Sequence, residues 1–140
     1  MELDLSSFRK AIGSLQRTLQ VADDEGFMSG LSDDQKDAIR AGVIQNFEFT
    51  YELCWKFMRR WLDGNLGSTY IGGVSRRQLF RLSAEHKLID DIDKWMEYHE
   101  TRNETSHTYD EDIAEDVFET AREFISDAET LLKALEDRNG

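Results

Sequence analysis

The chain has 140 residues, enough for one domain (1–140) with a core of its own. Its 39% apolar content, with three Trp, eight Phe and four Tyr, argues against global disorder. A formal net charge of -12 argues against broad, non-specific nucleic-acid binding, which depends on neutralising phosphates with Lys and Arg, but leaves room for a local basic site. Proline is absent, and no strand-like alternation of any length occurs. Leu5, Phe8, Ile12, Leu15, Leu19 and Ala22 recur at three- and four-residue steps, the stripe of a first amphipathic helix. Asp23 to Leu31 is polar, contains glycine and reads as a loop. Ser32-Asp33-Asp34-Gln35 is a capping box, in which serine and glutamine satisfy each other's free backbone N–H groups. From it a long helix runs to about Asp63, carrying Ile39, Val43, Phe47, Tyr51, Cys54, Met58 and Trp61. Gly64, Gly67, Gly72 and Gly73 end it in a flexible connection.

Ser75-Arg76-Arg77-Gln78 repeats the capping pattern and opens a shorter helix with Leu79, Phe80 and Leu82. A fourth helix is expected from about Asp90 through Trp95 to Arg102. Thr108-Tyr109-Asp110-Glu111 has the form of a third capping box, and its acidic residues suit the positive end of a helix dipole. A fifth helix then carries Ile113, Val117, Ala121, Phe124, Ala128, Leu131 and Leu135 on one face. Four long amphipathic helices and one short one predict an all-α fold, an antiparallel four-helix up-and-down bundle with one extra short helix.

Cys54 is the single cysteine, so neither an internal disulfide nor a cysteine-built metal site is expected, and its aromatic surroundings make it a small buried hydrophobe. His86, His99 and His107 share no metal-ligand spacing. No signal segment and no apolar run of bilayer length is present, so the expectation is a soluble, cytoplasmic protein without membrane association, in which the Asn103-Glu104-Thr105 sequon has no meaning. No cofactor motif stands out.

Between Trp55 and Lys87 lie Lys56, Arg59, Arg60, Arg76, Arg77, Arg81 and Lys87 against only Asp63 and Glu85. Two readings stay open: solvated helix faces paired with acidic neighbours, or a local phosphate-attracting patch centred on Arg76, Arg77 and Arg81. The stretch RNETSHTYDE, from Arg102 to Glu111, draws attention for another reason. Arg102 and His107 are five residues apart, about 140° from sharing a face on one straight helix. A turn between the fourth and fifth helices would bring both to one end of the bundle, and Thr105, Ser106 and Thr108 suit such a turn. Histidine moves protons near neutrality, and arginine offers a fixed fork of donors to a phosphate whose charge grows in the transition state. RNA supplies its own nucleophile, the 2′-hydroxyl. Spacing alone favours the plainer account, with Arg102 paired with an acid and His107 bonded at a helix end.

Two stretches together change that balance. Gln45 to Lys56 resembles the "QxFEFTYELxWK" signature of the nucleotidyltransferase substrate-binding protein family, and Arg102 to Tyr109 resembles its "RNxTSHTY" segment. Ser75 to Arg81 is similar to the "SPRxxFR" pattern between them, with Arg76 where the family usually has proline, and Leu88 to Asp91 and Trp95 also fall into place. The resemblance implies membership of the HEPN group: helical bundles that form homodimers and stand beside a small, separately encoded nucleotidyltransferase. It implies a metal-independent ribonuclease toxin, with His107 as proton-transfer residue, Arg102 as phosphate stabiliser and Asn103 as the polar residue that orients the site. It further implies that the partner silences the toxin by attaching AMP to Tyr109. The alternative is a non-catalytic subunit that binds substrate for a two-component nucleotidyltransferase. In the aromatic signature, Phe47, Tyr51, Cys54 and Trp55 read as core or dimer interface, and Glu52 with Lys56 as an i,i+4 surface pair.

Overall fold

The Ser32/Gln35 and Ser75/Gln78 capping boxes both form, each with the serine hydroxyl on the N3 amide and the glutamine side chain on the N-cap amide. They start the two helices they were expected to start. The structure, a computed structural model, describes residues 2–139, so the two ends of the expected 1–140 domain lie outside the described residues. In chain order it contains α1 (Ser6–Asp23), α2 (Glu25–Ser29), α3 (Asp33–Leu66), α4 (Ser68–Ile71), α5 (Arg76–Glu85), α6 (Ile92–Glu104), a 3-10 turn (Thr105–His107) and α7 (Glu111–Asp137). Among the described residues there is no strand, and the architecture is the expected antiparallel bundle: α1, α3, α6 and α7 are its long members and α5 the short one.

Several boundaries differ from the sequence reading, each for a local reason. The loop after α1 contains α2, because the Asp24 side chain accepts a hydrogen bond from the Phe27 amide and caps a single turn. α3 runs through Gly64 to Leu66 and stops at Gly67, whose φ of 97° only glycine adopts without cost. The glycine-rich connection beyond it holds the short α4. α6 begins at Ile92, one residue after its N-cap Asp91, and continues past Arg102 to Glu104. The capping box expected at Thr108 does not form. Thr108 has helical dihedrals and its hydroxyl donates back to the Thr105 carbonyl at 3.2 Å, while Asp110, in extended conformation, caps α7 through the amides of Asp112 and Ile113.

The apolar stripes meet along α1, α3 and α7. Phe124 of α7 is the hub: its ring packs edge-on against Phe47 (5.1 Å between centroids), Tyr98 (5.1 Å) and Trp95 (5.9 Å), with Tyr51 at 6.5 Å. Cys54 is fully buried, and that burial pushes its thiol well above the ordinary range, as expected of an inert hydrophobe. A smaller cluster of Leu62, Ile71 and Leu79 seats α5 against the end of α3. The corner from α5 to α6 is a Schellman turn: the Leu88 amide reaches the Ser83 carbonyl at 2.9 Å and the Lys87 amide reaches Ala84 at 3.0 Å. Lys87 occupies its left-handed position, with φ of 62°. That corner buries Leu88 and Ile89 and aims α6 across α3 and α7. No helix among the described residues is long and apolar enough to cross a membrane.

Candidate functional site

Arg102 lies in the last turn of α6, where its charge also favours the negative end of the helix dipole. Its side chain does not reach solvent freely. Nε sits 3.3 Å from Oε1 of Glu52 on α3, and one terminal nitrogen is 3.4 Å from the Thr105 hydroxyl. The Nε–H is not aimed at the carboxylate well enough to make a hydrogen bond, so the Glu52 contact is Coulombic. Thr105, nearly buried, donates its own hydroxyl proton to the Arg102 carbonyl at 2.7 Å and so stitches the helix end to the turn.

Glu52 is itself held. Its second oxygen accepts from Nε1 of Trp55 at 3.1 Å. The guanidinium of Arg76 lies over the Trp55 ring, 3.6 Å from its centroid, an arrangement in which the ring's negative face meets the cation. Beside them the hydroxyl of Tyr51 is 2.9 Å from Nδ1 of His99, on the turn of α6 before Arg102. Burial pushes the Tyr51 hydroxyl up, so it remains protonated. Burial, then the charge of Arg76, hold His99 below its ordinary value, with Arg102 acting in the same sense and Glu52 and Glu100 opposing. Neutral His99 shares one hydrogen bond with the Tyr51 hydroxyl at Nδ1, its direction set by the imidazole tautomer.

The other half of the motif is different. Asn103, His107 and Tyr109 are exposed, Tyr109 to 85%. The His107 and Tyr109 rings stand edge to face at 6.1 Å, and no hydrogen bond or ion pair joins His107 to Arg102. The turn thus brings the two residues to the same end of the bundle without a hydrogen bond between them. Tyr109 and Thr108 border a groove of about 840 Å³ between the start of α7 and the first turns of α3. Asp33, Asp37, Glu111, Asp112 and Glu115 line it against Lys36 and Arg40. Among the described residues no group of three His, Cys, Asp or Glu side chains is arranged to hold a metal ion.

The three arginines of the basic stretch part company. Arg76 turns inward onto Trp55, Arg77 faces Asp93 at 3.5 Å with both side chains largely exposed, and Arg81 is exposed. Sequence reasoning missed the network of Tyr51, Glu52, Trp55 and His99. It read Glu52 as a partner of Lys56, whereas Glu52 meets Arg102 and the Lys56 ammonium lies 5.7 Å from the Trp55 ring centre. A signal existed: His99 and Arg102 are three residues apart on one helix, and Glu52 and Trp55 three apart on another, so each pair shares a face.

Comparison with known proteins decides the family. The family model described as "Nucleotidyltransferase substrate binding protein like" matches residues 3–137. The chain belongs to this family. A Haemophilus influenzae protein named "Probable ribonuclease HepT" is 34% identical over 139 residues, covering 99% of this chain and 95% of that protein. The structure of HI0074 from Haemophilus influenzae, described as revealing the fold of a substrate binding domain of a nucleotidyltransferase, superimposes with a TM-score of 0.91 at 33% identity, over 95% of this chain and 99% of that one. A crystal structure of a Thermus thermophilus protein matches with a TM-score of 0.72 at 27% identity, over 91% of this chain and 98% of that one.

Proposed function

We propose that this family member is a HEPN-type, metal-independent ribonuclease toxin, paired with a small, separately encoded nucleotidyltransferase that silences it by transferring AMP to Tyr109. The observation that carries the reading is the pairing of a restrained Arg102 with an exposed His107 at one end of the bundle, two residues from a tyrosine that is 85% exposed. The relationship to a protein named as a probable ribonuclease supports it.

On this reading the imidazole of His107 takes the proton of an RNA 2′-hydroxyl. The 2′-oxygen bonds to phosphorus as the bond from phosphorus to the 5′-oxygen breaks, and a protonated His107 of a second copy returns a proton to that oxygen. The products are a 2′,3′-cyclic phosphate and a 5′-hydroxyl end. Arg102, steadied from behind by Glu52, presents its remaining N–H donors to the phosphoryl oxygens, whose charge rises in the transition state. Asn103 orients the site, and a homodimer supplies both copies of the motif. AMP on Tyr109 adds bulk and negative charge beside His107 and repels the RNA phosphate.

One observation favours a second reading, a non-catalytic subunit that binds substrate for the nucleotidyltransferase: the extent of the likeness to the substrate-binding fold of HI0074. Expression without the nucleotidyltransferase separates the two. The ribonuclease reading expects growth arrest with RNA loss, abolished by His107→Ala or Arg102→Ala. Mutants indistinguishable from the parent would sink it. Intact mass after incubation with the nucleotidyltransferase and ATP tests the modification separately: added AMP mass is expected on the parent and not on Tyr109→Phe.

A further inference from the structure

Arg76 is a half-buried cation with no ion-pair partner among the described residues, in a chain with 29 Asp and Glu against 17 Lys and Arg. Its neighbour Arg77 does find an acid, Asp93. The Nε of Arg76 is shut off from solvent and makes no hydrogen bond, a costly arrangement for a charged donor. Arg59, which reaches the Gly72 carbonyl at 3.3 Å, adds like charge nearby. The ring of Trp55 offsets part of this by covering the guanidinium face, but it leaves the in-plane N–H edges without an acceptor.

The same tryptophan relates Arg76 to Arg102. Trp55 carries Arg76 on its face and donates from its edge to Glu52, whose other oxygen faces Arg102. Both guanidinium groups are thereby referenced to one turn of α3, and both act electrostatically on the His99 imidazole and the Tyr51 hydroxyl between them. Glu52 is a single carboxylate acting on both, so the pair keeps a net positive charge. A planar, pre-oriented fork with a spare charge matches a phosphate, the anion that arginine recognises most specifically.

We propose that Arg76 is a second phosphate-binding arginine of this site, gripping the backbone of single-stranded RNA at a phosphate neighbouring the one held by Arg102. The assignment rests on the ribonuclease reading above, and it makes the arginine pair, with Trp55 and Glu52 between them, the floor on which the strand lies. Because this phosphate is not the one that reacts, Arg76 strengthens binding equally in ground and transition states.

A fold-safe variant exists. Arg76 is the first residue of α5, a position where proline lacks only an unused N–H, and Ser75 before it is already extended at ψ of 167°. Arg76→Pro, Arg76→Gln and Arg76→Lys are compared with the parent by fluorescence anisotropy on a 12-nucleotide 2′-O-methyl RNA, which cannot be cleaved, across a salt series. Circular dichroism melts confirm folding, and cleavage kinetics follow on the same sequence as RNA. Arg76→Pro and Arg76→Gln are expected to weaken binding about tenfold and to reduce the salt slope by about 0.7. KM should rise with kcat held, and Arg76→Lys should keep the slope. Unchanged affinity and slope in Arg76→Pro would overturn the assignment even while the parent cleaves RNA. AMP competing as well as the oligonucleotide at equal phosphate concentration would overturn the commitment to an RNA backbone. If the parent binds through Arg76 but neither cleaves nor loses anything in His107→Ala, the phosphate site stands and the ribonuclease reading falls.

Discussion

The two ends of the Arg-x4-His motif sit five residues apart and live in opposite environments. Arg102 is referenced to two elements at once: α3 through Glu52 and the 3-10 turn through Thr105. His107 and Tyr109 touch each other and little else. A group that must meet a phosphate at a fixed angle gains from being held before the ligand arrives, since less ordering remains for binding. A group that must exchange protons with solvent, or be reached by a second enzyme, gains from exposure. On the proposed reading, the contrast gives rigidity to the electrostatic half of the site and access to the reactive half.

This comparison can be broken most severely in the core that carries α6. Phe124→Ala should cost about 3–5 kcal/mol in urea unfolding, because four aromatic rings lose a common neighbour. Glu52→Gln keeps the shape but removes the charge facing Arg102; with both side chains about a third exposed, it should lower stability by about 1 kcal/mol or less and reduce RNA cleavage. Lys87→Gly relieves the left-handed residue at the corner that aims α6 and should raise stability by about 1 kcal/mol. On the other side, His107→Ala should leave the unfolding midpoint within about 0.5 kcal/mol of the parent. A loss as large as that of Glu52→Gln would erase the distinction.

His99 supplies a test by pH. Its folded value lies below the ordinary 6.5, so the unfolded chain binds the proton more readily. The stability it contributes is complete above about 6.5 and is lost as pH falls through that value toward the folded one. His99→Gln should flatten this part of the stability profile, measured by urea midpoints from pH 7.5 to 5. A profile that falls as steeply as the parent's would assign the titration elsewhere.

The bundle was legible in the sequence because its information is local and periodic. Stripes at three and four residues marked α1, α3 and α7, and serine followed by glutamine three residues later marked two helix starts. The failure at Thr108 has the same root. The pattern fits a capping box, but a tie from its hydroxyl back to Thr105 competed for it, and Asp110 two residues on had the stronger acceptor. Arg102, Asn103, His107 and Tyr109 were singled out by motif. Glu52, Trp55 and His99 were not, because their roles depend on which face of α3 meets which face of α6. Read alone, Glu52 has Lys56 one turn away and no reason to prefer an arginine fifty residues later.

The groove beside Tyr109 sorts visitors by charge. With five acids against two bases on its walls, it repels a polyanion. A protein that reaches Tyr109 meets the opposite sign, so a basic rim would speed its encounter, and added salt would slow it. The cation of Arg76, over Trp55 of α3, carries the opposite sign further along the same helix.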